Sequence, residues 1–248
     1  MPFHQEPWGS LCWLALENPT GVIAPTQSGK TLTDLIHKTL RAPGALLATS
    51  TRLDLFRLTA MHRERAHGEG SVAVLDLTGT TGWPYMIRWN PMTGCQDWRI
   101  ATRRAKAFVA GVRPGEKATG NHAFFEGRAS EVLACYLQAA AVSEAPMDVF
   151  IRWCMNAADF TAAEILMSTP GCEDHGLILR KSQSLAQETR DGIYESVRDA
   201  ISCLTDPLTR ESASAPAPLD STSPSSFTIE APCMCSALKT PPQILPRW

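Results

Sequence analysis

In the first third of the chain, apolar residues fall in short unbroken runs, at positions 21–24, 45–49 and 71–77, the last reading Ser-Val-Ala-Val-Leu-Asp-Leu. Runs of this length bounded by turn residues predict buried β-strands. The intervals, 30–41 and 51–66, carry helical spacing, and Pro43-Gly44 ends the first of them. Strand, helix, strand, helix, strand predicts an α/β layer with a parallel sheet. After Trp89-Asn90-Pro91 the apolar spacing becomes three and four residues. Ala101, Ala105, Phe108 and Val109 share one helical face. Val132, Leu133, Tyr136, Leu137 and Ala140 share a second, and Leu185, Ile193, Val197, Ala200, Ile201 and Leu204 a third. Residues 111–120, with Pro114 and Gly115, read as a polar loop between two of these helices. From Pro207 the chain turns rich in Pro, Ser, Thr and Ala, holding eight of the 18 prolines, which predicts a disordered tail over 207–248.

Composition narrows the class without naming it. The 248 residues are 44% hydrophobic and 19% charged with a net charge of -2, as in a globular protein. Near-neutral charge argues against strong autonomous binding to nucleic acid, since that affinity comes from clustered Lys and Arg, so any DNA contact must be local or shared between subunits. The eight cysteines, at 12, 95, 135, 154, 172, 203, 233 and 235, form no C-x-x-C pair and read as reduced thiols; the isolated Cys233-Met234-Cys235 is a weak metal signal. No run approaches the ~20 apolar residues of a membrane-spanning helix, and residues 1–20 lack a basic region leading into an apolar one, so a cytoplasmic location is expected.

One segment carries recognisable chemistry. Ala24-Pro25-Thr26-Gln27-Ser28-Gly29-Lys30-Thr31 follows an apolar run and opens a helical stretch, which is the context of a phosphate-cradling P-loop. In that reading the backbone of Thr26, Gln27, Ser28 and Gly29 surrounds the phosphates of ATP, Lys30 meets the β and γ phosphates, and Thr31 ligates Mg²⁺. Ala24 stands where the motif has Gly. Hydrolysis would need a strand-end carboxylate and a neighbouring water-orienting Glu. Asp76 is the one such carboxylate and no Glu adjoins it, so nucleotide binding without turnover is expected. A small P-loop kinase or nucleotide-metabolism enzyme using Asp76 is the alternative. Two basic clusters, Arg57, Arg63 and Arg65 with His62 and His67, and Arg99, Arg103, Arg104 and Lys106, are candidate phosphate contacts or solvated faces.

Pro25-Thr26-Gln27-Ser28-Gly29-Lys30-Thr31, Pro43-Gly44, Ala48-Thr49-Ser50-Thr51-Arg52-Leu53-Asp54 and Arg88-Trp89-Asn90-Pro91 together resemble the type IV secretion coupling proteins of TraG and TraD type, nearest their actinobacterial conjugative-transfer branch. The likeness continues through Phe125, Thr189-Arg190-Asp191 and Cys203-Leu204-Thr205-Asp206-Pro207. It implies an α/β fold: a partial RecA-like P-loop parallel sheet with an inserted all-helical domain and a disordered C-terminal tail. The expected domains are a nucleotide-binding half-domain over 1–94, the helical insertion over 95–206 and the tail over 207–248. The resemblance also implies ATP and Mg²⁺ as cofactors, and membrane-anchored homo-hexamers that bring single-stranded DNA and its relaxase to a secretion channel. The family's membrane helices and second motor half have no counterpart here. Permitted codons for residues 227–245, read one nucleotide out of frame, can encode an apolar strand, so a frameshift near 207–220 is expected to have replaced that half. A non-catalytic module whose helices bind a relaxase or another protein is a further reading.

Overall fold

The computed structural model describes residues 2–5, 11–13, 21–25, 28–113 and 120–214, the first two stretches by backbone alone. The chain divides into two units, Met1–Val74 with Thr81–Met86, and Leu75–Thr80 with Ile87–Trp248.

In the first unit, β1 (Pro2–Gln5) pairs antiparallel with β2 (Leu11–Trp13), setting Pro2 opposite Trp13 and Gln5 opposite Leu11. A π-helical turn over Thr31–Leu35 runs into α1 (Ile36–Arg41), and α2 spans Asp54–His67. The two helices are tied by Arg63, whose guanidinium donates to the carbonyls of Thr39 (2.8 Å), Ala42 (3.3 Å) and Gly44 (3.1 Å). The first two are carbonyls that a helix end leaves without partners. Glu64 does the matching work at the end of α2, its carboxylate accepting from the amides of Gly70 (2.5 Å) and Val72 (3.0 Å). Trp83 stands edge-on to Phe56, with centroids 5.4 Å apart, and its indole N–H donates to the Val72 carbonyl at 2.8 Å.

The expected RecA-like parallel sheet is absent among the described residues. Residues 21–25 and 45–49 are extended without a ladder, and 71–77 contributes a single parallel bridge, Val74 to Met86. A strand is stable only when its N–H and C=O groups find a neighbouring strand, and an apolar run cannot show whether that neighbour exists. Here it does not. Ile23 is fully exposed and Leu47 is 69% exposed, where sheet burial would have covered both.

The second unit is a helical assembly: α3 (Trp98–Val112), α4 (Asn121–Val142), α5 (Met147–Met155), α6 (Thr161–Ser168), α7 (Glu173–Gln183), α8 (Gln187–Ile201) and α9 (Pro207–Ser214). At its centre runs α4, every residue of which from Ala129 to Ala141 except Glu131 is buried. A helix apolar all round must be enclosed on all sides. Phe108 of α3, Phe150 of α5, Leu166 of α6, Leu179 of α7, and Ile193 and Val197 of α8 pack into the same core. Each such burial contributes about 1.5–3 kcal/mol against the cost of ordering the chain. The expected tail disorder does not begin at Pro207. The Asp206 carboxylate accepts from the Thr209 amide at 2.9 Å, capping α9, and Pro207 in the first turn loses no bond because that N–H has no helical partner. Residues 215–248 lie outside the described residues, and with them Cys233, Cys235 and the 227–245 segment. No described helix is long and apolar enough to cross a membrane.

Candidate functional site

The segment expected to bind ATP can be followed on either side of Thr26 and Gln27. Ala24 and Pro25 have no regular structure, Thr26 and Gln27 lie outside the described residues, and Ser28 and Gly29 form a bend, Gly29 with φ +83°. Thr31 opens the π-helical turn. The Lys30 ammonium, which should face phosphate, donates back to the carbonyl oxygens of Ala24 and, at 3.3 Å, Pro25. A P-loop works because a strand locked in a sheet holds the loop amides in one converging arrangement. Among the described residues no sheet stands behind residues 21–24 to hold the loop, and the lysine donates to two carbonyl oxygens of its own segment. The expectation of ATP binding with Mg²⁺ on Thr31 is therefore overturned. The kinase alternative falls with it, because it needs the same loop. The Asp76 carboxylate accepts from the amide (3.0 Å) and hydroxyl (2.9 Å) of Thr78, closing a local turn. Among the described residues no three His, Cys, Asp or Glu side chains group to hold a metal.

The two basic clusters have different fates. On α2, Arg63 is engaged with backbone carbonyls, while Arg57, His62, Arg65 and His67 are exposed. On α3 the cluster splits. Arg104 turns inward, donating to the carbonyls of Pro91 (2.8 Å) and Thr93, with its guanidinium 5.5 Å from the centroid of the Trp89 ring and 3.4 Å from the Cys95 sulfur. It holds the Trp89-Asn90-Pro91 segment against the bundle. Burial pushes the Cys95 thiol up, and the neighbouring Arg104 charge pulls it partly back. Arg99, Arg103 and Lys106 stay exposed and form no ion pair among the described residues.

Their spacing of four and then three residues aligns these three cations along one side of α3. Beside them, α3 and α4 part to leave an open groove of about 490 Å³, lined by Trp98, Thr102 and Lys106 on one wall and Phe124, Arg128 and Glu131 on the other. Gly127, also in the lining, has nothing within 4 Å of where a Cβ would sit. Phe124 is 49% exposed, with the Arg128 guanidinium 5.8 Å from its centroid and paired to Glu131 at 2.8 Å. Trp98 is fixed from beneath by His175, stacked at 3.8 Å and 13°. Burial lowers the His175 pKa, countered in part by the Asp174 charge, so the stacked imidazole favours its neutral form. Asp97 anchors the start of this wall by capping α3, its carboxylate accepting from the Arg99 amide at 2.8 Å. The sequence signalled this groove on its α3 side alone, through the basic cluster that includes Lys106, while the Phe124 and Arg128 wall gave no comparable signal.

The second unit therefore presents an open groove between α3 and α4 with aromatic and cationic side chains in its lining. The model of the family described as Type IV secretory system Conjugative DNA transfer matches residues 9–216, and the chain belongs to that family. No curated protein and no solved structure matches it.

Proposed function

We propose that the chain serves conjugative DNA transfer as a non-catalytic docking module that engages the transferred cargo, a relaxase joined to single-stranded DNA, through its second unit. The observation that carries this reading is the open α3–α4 groove on an independently packed helical core. Its aromatic, cationic and hydroxyl groups lie in an open groove, which suits the surface of a macromolecule better than an enclosed small ligand. Family membership supplies the setting.

The test is capture of the purified cognate relaxase, with and without attached DNA, by the full chain on a sensor surface. Binding is expected without nucleotide and unchanged by Lys30→Ala. Absence of capture in both forms, or capture only when ATP is supplied, overturns the proposal.

A further inference from the structure

We infer that residues 227–231 of this chain, Phe-Thr-Ile-Glu-Ala, dock back into the α3–α4 groove and close it, with the Glu230 carboxylate on the Lys106 ammonium and Phe227 and Ile229 against Phe124 and Trp98. That the contact holds cargo off rests on the docking-module reading, whereas the contact itself does not.

The place where the described chain ends points to this occupant. The Trp89 amide donates to the Ser212 carbonyl at 3.1 Å, and the Trp89 ring lies 5.5 Å from the Arg104 guanidinium, so the end of α9 stands close to the middle of α3. At about 100° per residue, Thr102 and Lys106 project from the side of α3 opposite Arg104. The path from Ser214 to the groove is therefore half a turn around one helix, roughly 25 Å. A further 34 residues, 215–248, leave from that point. Phe227 is 13 residues along them, and a flexible coil of that length has an r.m.s. span of ~20 Å, close to the distance required. A tether matched to its span gives a local concentration on the order of mM, so even a weak contact is populated.

Charge then selects within those residues. Lys106 is exposed and forms no ion pair among the described residues, whereas Arg128 on the opposite wall is paired with Glu131. Residues 215–248 carry two side-chain carboxylates, Asp220 and Glu230. Six residues reach at most ~20 Å when fully extended, so Asp220 falls short of Lys106 and Glu230 does not.

The side-chain pattern agrees. Apolar and polar residues alternate from Phe227 to Ala231, and Pro232 biases the residue before it towards extended backbone. An extended segment sets Phe227 and Ile229 on one side and Glu230 on the other. The apolar side covers the Phe124 ring, 49% exposed, and enters the open space over Gly127, where nothing lies within 4 Å of a Cβ position. Glu230 is then left at the rim beside Lys106. The family model ends at residue 216, so the segment lies beyond what that family shares and the contact is particular to this chain.

A fluorescein-labelled peptide of residues 222–232, titrated with the full chain and read by anisotropy, tests the inference. The parent should bind it weakly, because its own segment fills the groove. A Phe227→Ala, Ile229→Ala, Glu230→Ala variant should bind it about fivefold more tightly or better. Adding Lys106→Glu to that variant should weaken binding about tenfold, and a peptide carrying Glu230→Lys should recover most of the loss. Lys181→Glu, exposed on α7, should change nothing, and circular dichroism melts should confirm that all variants fold. The inference is overturned if the peptide binds no form of the chain, if parent and tail variant bind it equally, or if Lys106→Glu leaves binding unchanged. Occlusion of the parent that disappears on dilution assigns the contact to a second copy and overturns it too. Relaxase capture, expected to be stronger on the tail variant than on the parent, keeps the two ideas apart. Equal capture by both with no peptide binding sinks the tail contact and leaves the docking module standing. Peptide binding that behaves as expected, with no capture by either form, sinks the module and leaves the contact.

Discussion

At the scale of single residues, close packing and buried hydroxyls are where the helical unit is most sensitive. A Cβ at Gly176 would meet the Met167 side chain at 2.6 Å and the Met167 amide nitrogen at 2.7 Å. Backbone cannot yield as a flexible side-chain end can, so Gly176→Ala should cost about 1–3 kcal/mol, seen as a lower urea midpoint. Tyr136 and Tyr194 share a hydrogen bond of 2.8 Å in the core, and Gln183 donates to the Tyr136 hydroxyl at 3.3 Å. Tyr136→Phe would strand these groups, and a loss of about 1–3 kcal/mol is expected. Burial also pushes the Cys135 thiol up to about 12 and the Tyr194 hydroxyl to about 12. In the unfolded chain these groups ionise nearer their ordinary values of 9.0 and 10.0, while the native state keeps its protons. Over that window the native state holds more protons, so stability is intact below about pH 9 and falls as pH rises towards 12, by up to ~1.4 kcal/mol per pH unit for each group. Urea midpoints at pH 8, 9.5 and 10.5 should decline in that order, and constancy across them would place both groups outside the core.

Helix ends and helix faces set the next level. Asp97 and Asp206 cap α3 and α9 by accepting from amides two and three residues on. Asp206→Ala should cost about 1 kcal/mol, expressed as faster amide exchange in α9 with the exchange of α4 unchanged. A comparable loss of protection throughout α4 would mean that α9 is integral to the core and is not simply capped onto it. The periodic apolar positions of α3 and α8 face the core as their spacing predicts, because an isolated stripe at helical period can be buried in only one way, whereas α4 is buried all round from Ala129 to Ala141 except at Glu131. The extended runs behave differently. Apolar runs of four to seven residues suit a strand, but pairing depends on distant partners that no local pattern encodes. Amides of residues 45–49, which have no backbone acceptor among the described residues, should therefore exchange far faster than those of 129–141.

On the scale of the whole molecule, composition indicated a globular chain and the apolar spacing after Pro91 its large helical portion, since that periodicity is a local consequence of helix geometry. The family signal spread along residues 9–216 was legible too, as a resemblance carried by short motifs. Nothing local could show that the Ala24 to Thr31 segment lacks its support. The same letters make a phosphate cradle only when a paired strand holds their amides convergent, and here Lys30 instead folds onto the carbonyls of Ala24 and Pro25. Tertiary structure likewise decided which members of one basic cluster face outward. Arg104 reaches across to the Pro91 and Thr93 carbonyls, while Arg99, Arg103 and Lys106, on the same helix, remain in solvent beside the groove. The division has a plain physical cause: helical period and turn chemistry act between neighbours in sequence, whereas sheet pairing, grooves and the fate of a charge depend on contacts between residues far apart along the chain.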